Sequence, residues 1–425
     1  MQLTLFQSSQ GDCLLLSNAA ATARILVDGG MPGAYRDHVA PTLAKLRKAN
    51  QKIDLVYISH IDQDHIGGIL EMLDDEVTWR VHEYQTNNGN PRHKTPHVPR
   101  PPEIRTIWHN SFHEQLTNNA APIEEALAAA APVLSGADLQ QMRQAGSRQA
   151  ELVTSIKQAI QVSRRIGPKQ LGIPLNPQAD GKLLMVREGQ KPITIGGMKI
   201  TIVGPTSQHL KQLREKWQTW LRRNQQVLET IRETARKDEE HLGTSDLDRF
   251  FRSLKLQAEA FGNPSSVTPE NLASLMLLVE QGDRSILLTG DARWDQLIDG
   301  LQATGRLRDE QPFTVDVLKV PHHGSEHNIV DTTLLDRVIA TDYVFCANGQ
   351  DENPDLDVVA LMVTRRLTAP GRFTFWFNSS KAVVKNEKAA KHMAEVEKLV
   401  RQRAKGSKGR FRFKFLTRGS SLTVA

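Results

Sequence analysis

The stretch Ser59-His60-Ile61-Asp62-Gln63-Asp64-His65-Ile66-Gly67-Gly68 decides how this chain is read. Two histidines and two aspartates fall within six residues, directly after the apolar run Ile53-Asp54-Leu55-Val56-Tyr57-Ile58. That run has the pattern of a buried strand. Imidazole nitrogens and carboxylate oxygens crowded at a strand end are the donors a divalent cation needs. His60 and Asp62 alternate and would share one face of extended backbone, whereas the adjacent Asp64 and His65 would face differently. One strand end can therefore serve two ions. The glycines that follow are expected to let the backbone turn tightly into a helix.

A capping aspartate beside an incidental histidine is the bland reading of any one such pair. Against it, donors recur at strand ends further along the chain. Ser285-Ile286-Leu287-Leu288-Thr289-Gly290-Asp291 ends an apolar strand in a carboxylate. Asp316-Val317-Leu318-Lys319-Val320-Pro321-His322-His323-Gly324-Ser325 ends another in two histidines. Adjacent on extended backbone, these two would point opposite ways. One of them is then expected to bind metal and the other to contact a substrate oxygen or donate a proton. Ile104-Arg105-Thr106-Ile107-Trp108-His109 supplies a further histidine, preferred over the nearby His113. Arg24-Ile25-Leu26-Val27-Asp28-Gly29-Gly30 ends in an acid and two glycines. The loop histidines His82, His93 and His97 lie in a proline-rich polar segment and read as surface residues.

His60-x-Asp62-x-Asp64-His65-x-Gly67-Gly68 resembles the signature of the metallo-β-lactamase superfamily, whose commoner form has His at the place of Asp62. The Asp form, together with His322-His323-Gly324-Ser325, resembles the hydrolase domain of the bacterial DNA-uptake competence channel and its soluble relatives. The resemblance covers about residues 1–115 and 190–380. It implies an α/β fold, the four-layer αβ/βα sandwich of two sheets between helices. It implies one ion on His60, Asp62 and His109, and a second on Asp64, His65 and one of His322 and His323. Asp291 would bridge them, and Asp28 would orient a metal-binding histidine from behind. Asp64, His322 and His323 are the catalytic candidates. Two divalent ions are expected, zinc first and manganese second, because the added carboxylate hardens the donor set. In competence-type sequences a further histidine follows the next strand; here Asn353 or Asp355 stands in its place.

The rest of the chain bounds these expectations. It has 425 residues, 24% charged and 39% hydrophobic, which is a globular composition. No apolar run reaches the roughly 18–20 residues of a membrane span, and no signal peptide is evident at Met1–Phe6, so a cytoplasmic protein without membrane contact is expected. Cys13 and Cys346 sit in apolar contexts and read as buried thiols. We expect a single domain over 1–425, with residues 115–270 a largely helical insertion that includes a long helix near 207–240 and short strands near 182–186 and 192–203. That insertion could carry a protein partner. Residues 398–425 form a basic C-terminal strand, in which Phe411, Phe413 and Phe415 alternate with Arg410, Arg412 and Lys414. A basic row can track a phosphate backbone or merely keep an edge strand soluble. The expected activity is metal-dependent hydrolysis of a phosphodiester, with nucleic acid the first-choice substrate. A small ester, lactone or phosphoester is the alternative, and a metal-bound binding subunit is the reading from another class. No phosphate-binding glycine loop and no Ser-His-Asp arrangement offers a competing chemistry.

Overall fold

The structure, a computed structural model, describes residues 1–111, 158–215, 222, 273–308 and 311–424. Its strands form two sheets. β1 (Gln2–Phe6), β2 (Leu14–Ser17), β3 (Arg24–Val27), β4 (Leu55–Ile58), β5 (Ile107–His109) and the C-terminal β14 (Ser421–Val424) make the first, in the order β14-β1-β2-β3-β4-β5. The second contains β6 (Ile193–Ile195), β7 (Met198–Gly204), β8 (Met276–Gln281), β9 (Arg284–Leu288), β10 (Phe313–Lys319), β11 (Val338–Phe345), β12 (Phe373–Phe377) and β13 (Phe411–Phe415), in reverse chain order across the sheet.

Three apolar cores separate four layers. Between the sheets, Leu14, Leu16, Tyr57 and Trp108 meet Ile200, Leu277, Val317 and Trp376. The outer face of the first sheet (Phe6, Leu26, Val56, Ile58) packs on helices α1 (Ala40–Lys48) and α2 (Gln63–Asn87), and on residues of the helical segments α3 (158–166) and α4 (207–215). The outer face of the second (Leu278, Leu287, Leu318, Phe345, Phe375) packs on α5 (Trp294–Ala303), α6 (Leu356–Thr368) and α7 (Glu387–Gly406). Strands buried on both faces read as continuous apolar runs, which is why Leu14–Leu16 and Leu55–Ile58 show no alternation. The expected α/β sandwich is the observed architecture.

Turn chemistry sets the register locally. β6 and β7 pair across Gly196-Gly197, both with positive φ (55° and 81°), the conformation a two-residue type I′ hairpin requires. β8 and β9 pair across Gly282-Asp283. Strands β3–β5 run parallel, as do β9–β13. Their carboxyl ends open on one edge of the sandwich, the edge where open α/β folds place ligands.

Several local expectations change. Residues 182–186 join no ladder; Leu184 is instead held by both amide atoms of the Asn110 side chain (2.7 and 2.8 Å). Within 115–270 the described part supplies β6, β7, α3 and α4; most of the long helix expected near 207–240 lies outside the described residues, as does His113. The C-terminal stretch is more than one strand: after β13 the chain crosses to the first sheet, where β14 pairs antiparallel with β1. Gly67 and Gly68 do not make a turn. They lie inside α2, where a Cβ on Gly68 would sit 2.0 Å from the Gly29 carbonyl oxygen and one on Gly67 2.8 Å from Pro32. They let the helix lie against the loop after β3.

Candidate metal centre

Every candidate donor lies at a strand's carboxyl end, in the loop just beyond it or in the first turn of the helix that follows. After β4 the chain passes Ser59, His60 and Ile61 to Asp62, the N-cap of α2, and Asp64 and His65 fall in that helix's first turn. After β9, Thr289 and Gly290 lead to Asp291. After β10, Val320 and Pro321 lead to His322 and His323.

Asp291 is the hub. Its carboxylate oxygens lie 3.1 Å from His323 Nε2, 3.3 Å from His65 Nε2, 3.7 Å from His322 Nε2 and 3.9 Å from His60 Nε2. Asp62 stands 3.6 Å from His60 Nε2. Asp64 stands 3.8 Å from His65 Nε2 and 3.3 Å from His323 Nε2. Four imidazoles thus aim the same ring atom at one carboxylate.

The other nitrogen of each ring is tied down. Ser59 Oγ donates to Asp28 Oδ2 (2.7 Å), so it accepts from His60 Nδ1 (2.9 Å). His65 Nδ1 donates to Asp28 Oδ2 (3.0 Å). His323 Nδ1 donates to the Cys346 carbonyl (2.8 Å). Asn328 donates its amide N–H to the carbonyls of Asp291 and Ala292 (2.9 and 3.0 Å), which turns its oxygen toward His322 Nδ1. With Nδ1–H fixed outward, the neutral form of each ring carries its Nε2 lone pair inward. The buried Nε2 atoms of His60, His65 and His323 have no hydrogen-bond partner.

His109 stands apart from this convergence. It ends β5, fully buried, its backbone N–H donating to Asn176 Oδ1 (2.9 Å), and neither ring nitrogen has a partner. Burial, with His60 nearby, depresses its pKa to about 3, so the ring is neutral and able to ligate.

The expectation that His322 and His323 face opposite ways fails. Both adopt left-handed backbone, φ 45° and 57°, and both bring Nε2 to Asp291. Left-handed residues break the period-two alternation on which that expectation rests. Asp64 and His65 also converge, because they are helical and not extended. Asp355, one of the two residues expected where competence-type sequences carry a further histidine, is engaged elsewhere: it accepts from the Glu326 N–H (2.7 Å) and donates its own N–H to Gly324 (3.1 Å).

Two buried residues here carry no motif. Lys319, 1% exposed, bonds Asp12 Oδ2 (2.5 Å) and the Gly290 carbonyl (3.0 Å), and lies 3.4 Å from Asp291 Oδ1. Asp12, also buried, faces His323 Nδ1 (3.3 Å). Asp12, His65 and His323 are close enough to share an ion, as are His60, His65 and Asp291. Asp12, however, lies on the Nδ1 side of both rings and is neutralised by Lys319. We therefore place it behind the donors.

The electrostatics match this geometry. Burial opposes ionisation of Asp291, but His323, His65 and Lys319 outweigh it and hold the carboxyl well below the usual range. The same contest lowers Asp64, through His65 and His323, and Asp12, through Lys319. Burial opposes charge on His65 and His323 too, yet the surrounding carboxylates, Asp291 foremost, raise both well above the ordinary histidine value. The site is rich in negative charge and draws cations to its unpartnered Nε2 atoms. This donor set fits divalent metal.

Residues 9–112 match the family model for the metallo-beta-lactamase superfamily, a segment that contains Asp12, Asp28, the His60–His65 cluster and His109. No curated protein matches the chain. The family match and the two donor groups together indicate a metal-dependent hydrolase.

Proposed function

We propose that this chain is a metal-dependent phosphodiesterase acting on nucleic acid, with two divalent ions at Asp291. The observation that carries the proposal is the convergence of four Nε2 atoms on the Asp291 carboxylate, with Asp62 and Asp64 beside them and each imidazole oriented by an anchored Nδ1. The donors divide around Asp291: His60 and Asp62 with His109 near by, against Asp64, His65 and His323. Charge supports two ions. Asp12, Asp28, Asp62, Asp64 and Asp291 bring five negative charges against the single Lys319, and two divalent cations offset the difference. The mixed nitrogen and oxygen donors suit zinc, with manganese second.

Such ions supply Lewis acidity toward a phosphoryl oxygen and a water made nucleophilic near neutral pH. The chain's residues do the remainder. Asp291 holds the two donor groups together. Asp28 fixes the rings of His65 and, through Ser59, His60. His322, with its side chain 22% exposed, is the least buried of the converging imidazoles. With Nδ1–H held by Asn328, its Nε2 faces the site; once that nitrogen has taken up a proton, the imidazolium can contact a substrate oxygen and hand the proton to the leaving oxygen. The motif's resemblance to the DNA-uptake hydrolase favours a nucleic-acid diester over a small ester.

The test is cleavage of single- and double-stranded DNA and RNA by metal-stripped protein reloaded with zinc or manganese. Wild type should cleave only when loaded, and Asp64→Ala and Asp291→Asn should not cleave at all. A fully loaded wild type that leaves every nucleic acid intact but hydrolyses small esters or lactones would overturn the nucleic-acid reading.

A further inference from the structure

Positive charge is segregated in this chain. Residues 381–418 hold thirteen Lys and Arg against three Asp and Glu, so this segment alone exceeds the chain's formal +6 and the remainder carries an acid excess. Two of the three cations in the alternating row of β13 are engaged by the chain itself. Arg410 donates to the carbonyls of Leu367, Ala369 and Gly371 beyond α6, and Lys414 lies 4.3 Å over the Trp376 ring. The free part is on α7. That helix buries Ala389, Met393, Val396, Glu397 and Val400. On the opposite face Lys388, Lys391, Lys398 and Lys405 fall at helical spacing, all exposed, along about 25 Å at 1.5 Å per residue, with the exposed Glu387 and Glu395 among them. Among the described residues only Lys388 of these four has an acidic partner, Glu352 at 3.1 Å.

One end of the helix that carries this stripe packs on the 349–355 loop, which adjoins the turn that carries His322 and His323. A Cβ on Gly349 would meet the Ala389 carbonyl oxygen at 2.3 Å, and His392 Nε2 donates to the Pro354 carbonyl (3.0 Å). The 349–355 loop in turn holds the His322–Gly324 turn, through the Asp355 N–H on Gly324. Lys385, exposed in the loop after β12, extends the stripe at that same end.

We propose that the lysine face of α7 is a nucleic-acid track that holds a strand by its phosphates with one end at the metal centre. This rests on the hydrolase reading for where the strand leads, but the binding stands on the charge stripe alone. Lysines aligned along one face grip a polyanion by releasing its counterions, without regard to base sequence.

The experiment compares three full-length, metal-loaded proteins: wild type; a stripe variant, Lys388→Gln, Lys391→Gln, Lys398→Gln and Lys405→Gln; and a control of equal net charge, Lys45→Gln, Lys48→Gln, Lys169→Gln and Lys191→Gln. Binding of a labelled phosphorothioate 20-mer that resists cleavage is read by fluorescence anisotropy across a salt series. Hydrolysis of bis(p-nitrophenyl) phosphate is read in parallel. The stripe variant should bind at least about tenfold more weakly, with a log–log salt slope shallower by about 3 (four contacts at about 0.7 each). It should hydrolyse the small diester as wild type does, and the control should match wild type in both assays. A stripe variant that binds like wild type, a control that loses as much, or a protein that ignores the oligonucleotide and binds phosphatidylserine vesicles would each overturn the proposal. Oligonucleotide binding lost only in the stripe variant, with no hydrolysis by any protein, would keep the track and remove the hydrolase reading.

Discussion

On the first sheet, His60, Asp62, Asp64 and His65 stand in one loop and the helix turn it enters, and a single acid, Asp28, orients both histidines. On the second, Asp291 and the His322–His323 pair come from separate strands. Their supports come from still other places: Asn328, the Cys346 carbonyl, Lys319 and Asp12. The first half is therefore local, with its geometry following from a strand end and a helix N-terminus. The second is assembled by packing, and its two histidines take left-handed backbone to reach the centre. Damage to the first should fall mainly on metal binding. Damage to the second should fall on folding as well.

The largest effect is expected at the joint between the halves. Asp291→Asn removes the only carboxylate among the described residues within reach of all four converging imidazoles. Metal content, read by mass spectrometry of the purified protein, should fall for both ions, and hydrolysis should drop by about 10³ or more. Loss of one ion with the other intact would show that the halves load independently.

Next comes the ion pair that supports the second half. Lys319→Met leaves Asp12 and Asp291 buried without their cation and should cost the metal-stripped protein about 3–5 kcal/mol in urea unfolding. Adding Asp12→Asn should restore more than half of that loss, because the uncompensated charge is then gone. Lys52→Met, which breaks the exposed pair with Glu103, should change stability by about 1 kcal/mol or less. A single Lys319→Met loss no larger than the Lys52→Met one would mean the buried pair supports nothing.

The anchors should separate the halves further. Asp28→Asn disturbs His60 and His65 together and should weaken metal binding about 10- to 100-fold. Of the imidazoles Asn328→Ala frees only His322, although it also releases the Asp291 and Ala292 carbonyls, and it should leave metal content unchanged while lowering kcat about tenfold. Metal lost equally in both variants would make His322 a ligand and not a proton donor.

The same contrast governs what the sequence disclosed. The His60–His65 cluster was legible because its donors are adjacent in the chain, and the layered fold was legible because strands covered on both faces leave unbroken apolar runs. The orientation of His322 and His323 was not, because alternation presumes extended backbone and a left-handed pair leaves no period to read. Asp12 after a turn looks like any loop acid. Lys319 did leave a signal: a lysine inside Val317-Leu318-Lys319-Val320 sits in a strand with no solvent face, and a fully buried lysine requires a partner. That signal names the need but not the partner, since Asp12 lies some three hundred residues earlier. The basic row of β13 drew attention for its regular alternation, yet it is partly engaged by the chain itself, whereas the lysines of α7 are spread over 18 positions and gather into a stripe only once the helix is wound.

The smallest effect tests the left-handed turn directly. At His322 a Cβ is tolerated at φ 45° only against the usual steric cost of left-handed backbone. In metal-stripped protein, where neither substitution competes with an ion, His322→Gly should be more stable than His322→Ala by about 1 kcal/mol. His60 is not among the residues with positive φ, and there the order should reverse by about 0.5 kcal/mol, since glycine brings only extra unfolded-state entropy. Because both members of each pair lack the imidazole, the comparison cancels the lost ring and its hydrogen bond and isolates the backbone. The same order at both positions would mean that the turn after β10 relaxes once its histidine is gone. The left-handed conformation would then be imposed by the pull of Asn328 and Asp291 on the ring, and not by the packing of the turn against the 349–355 loop.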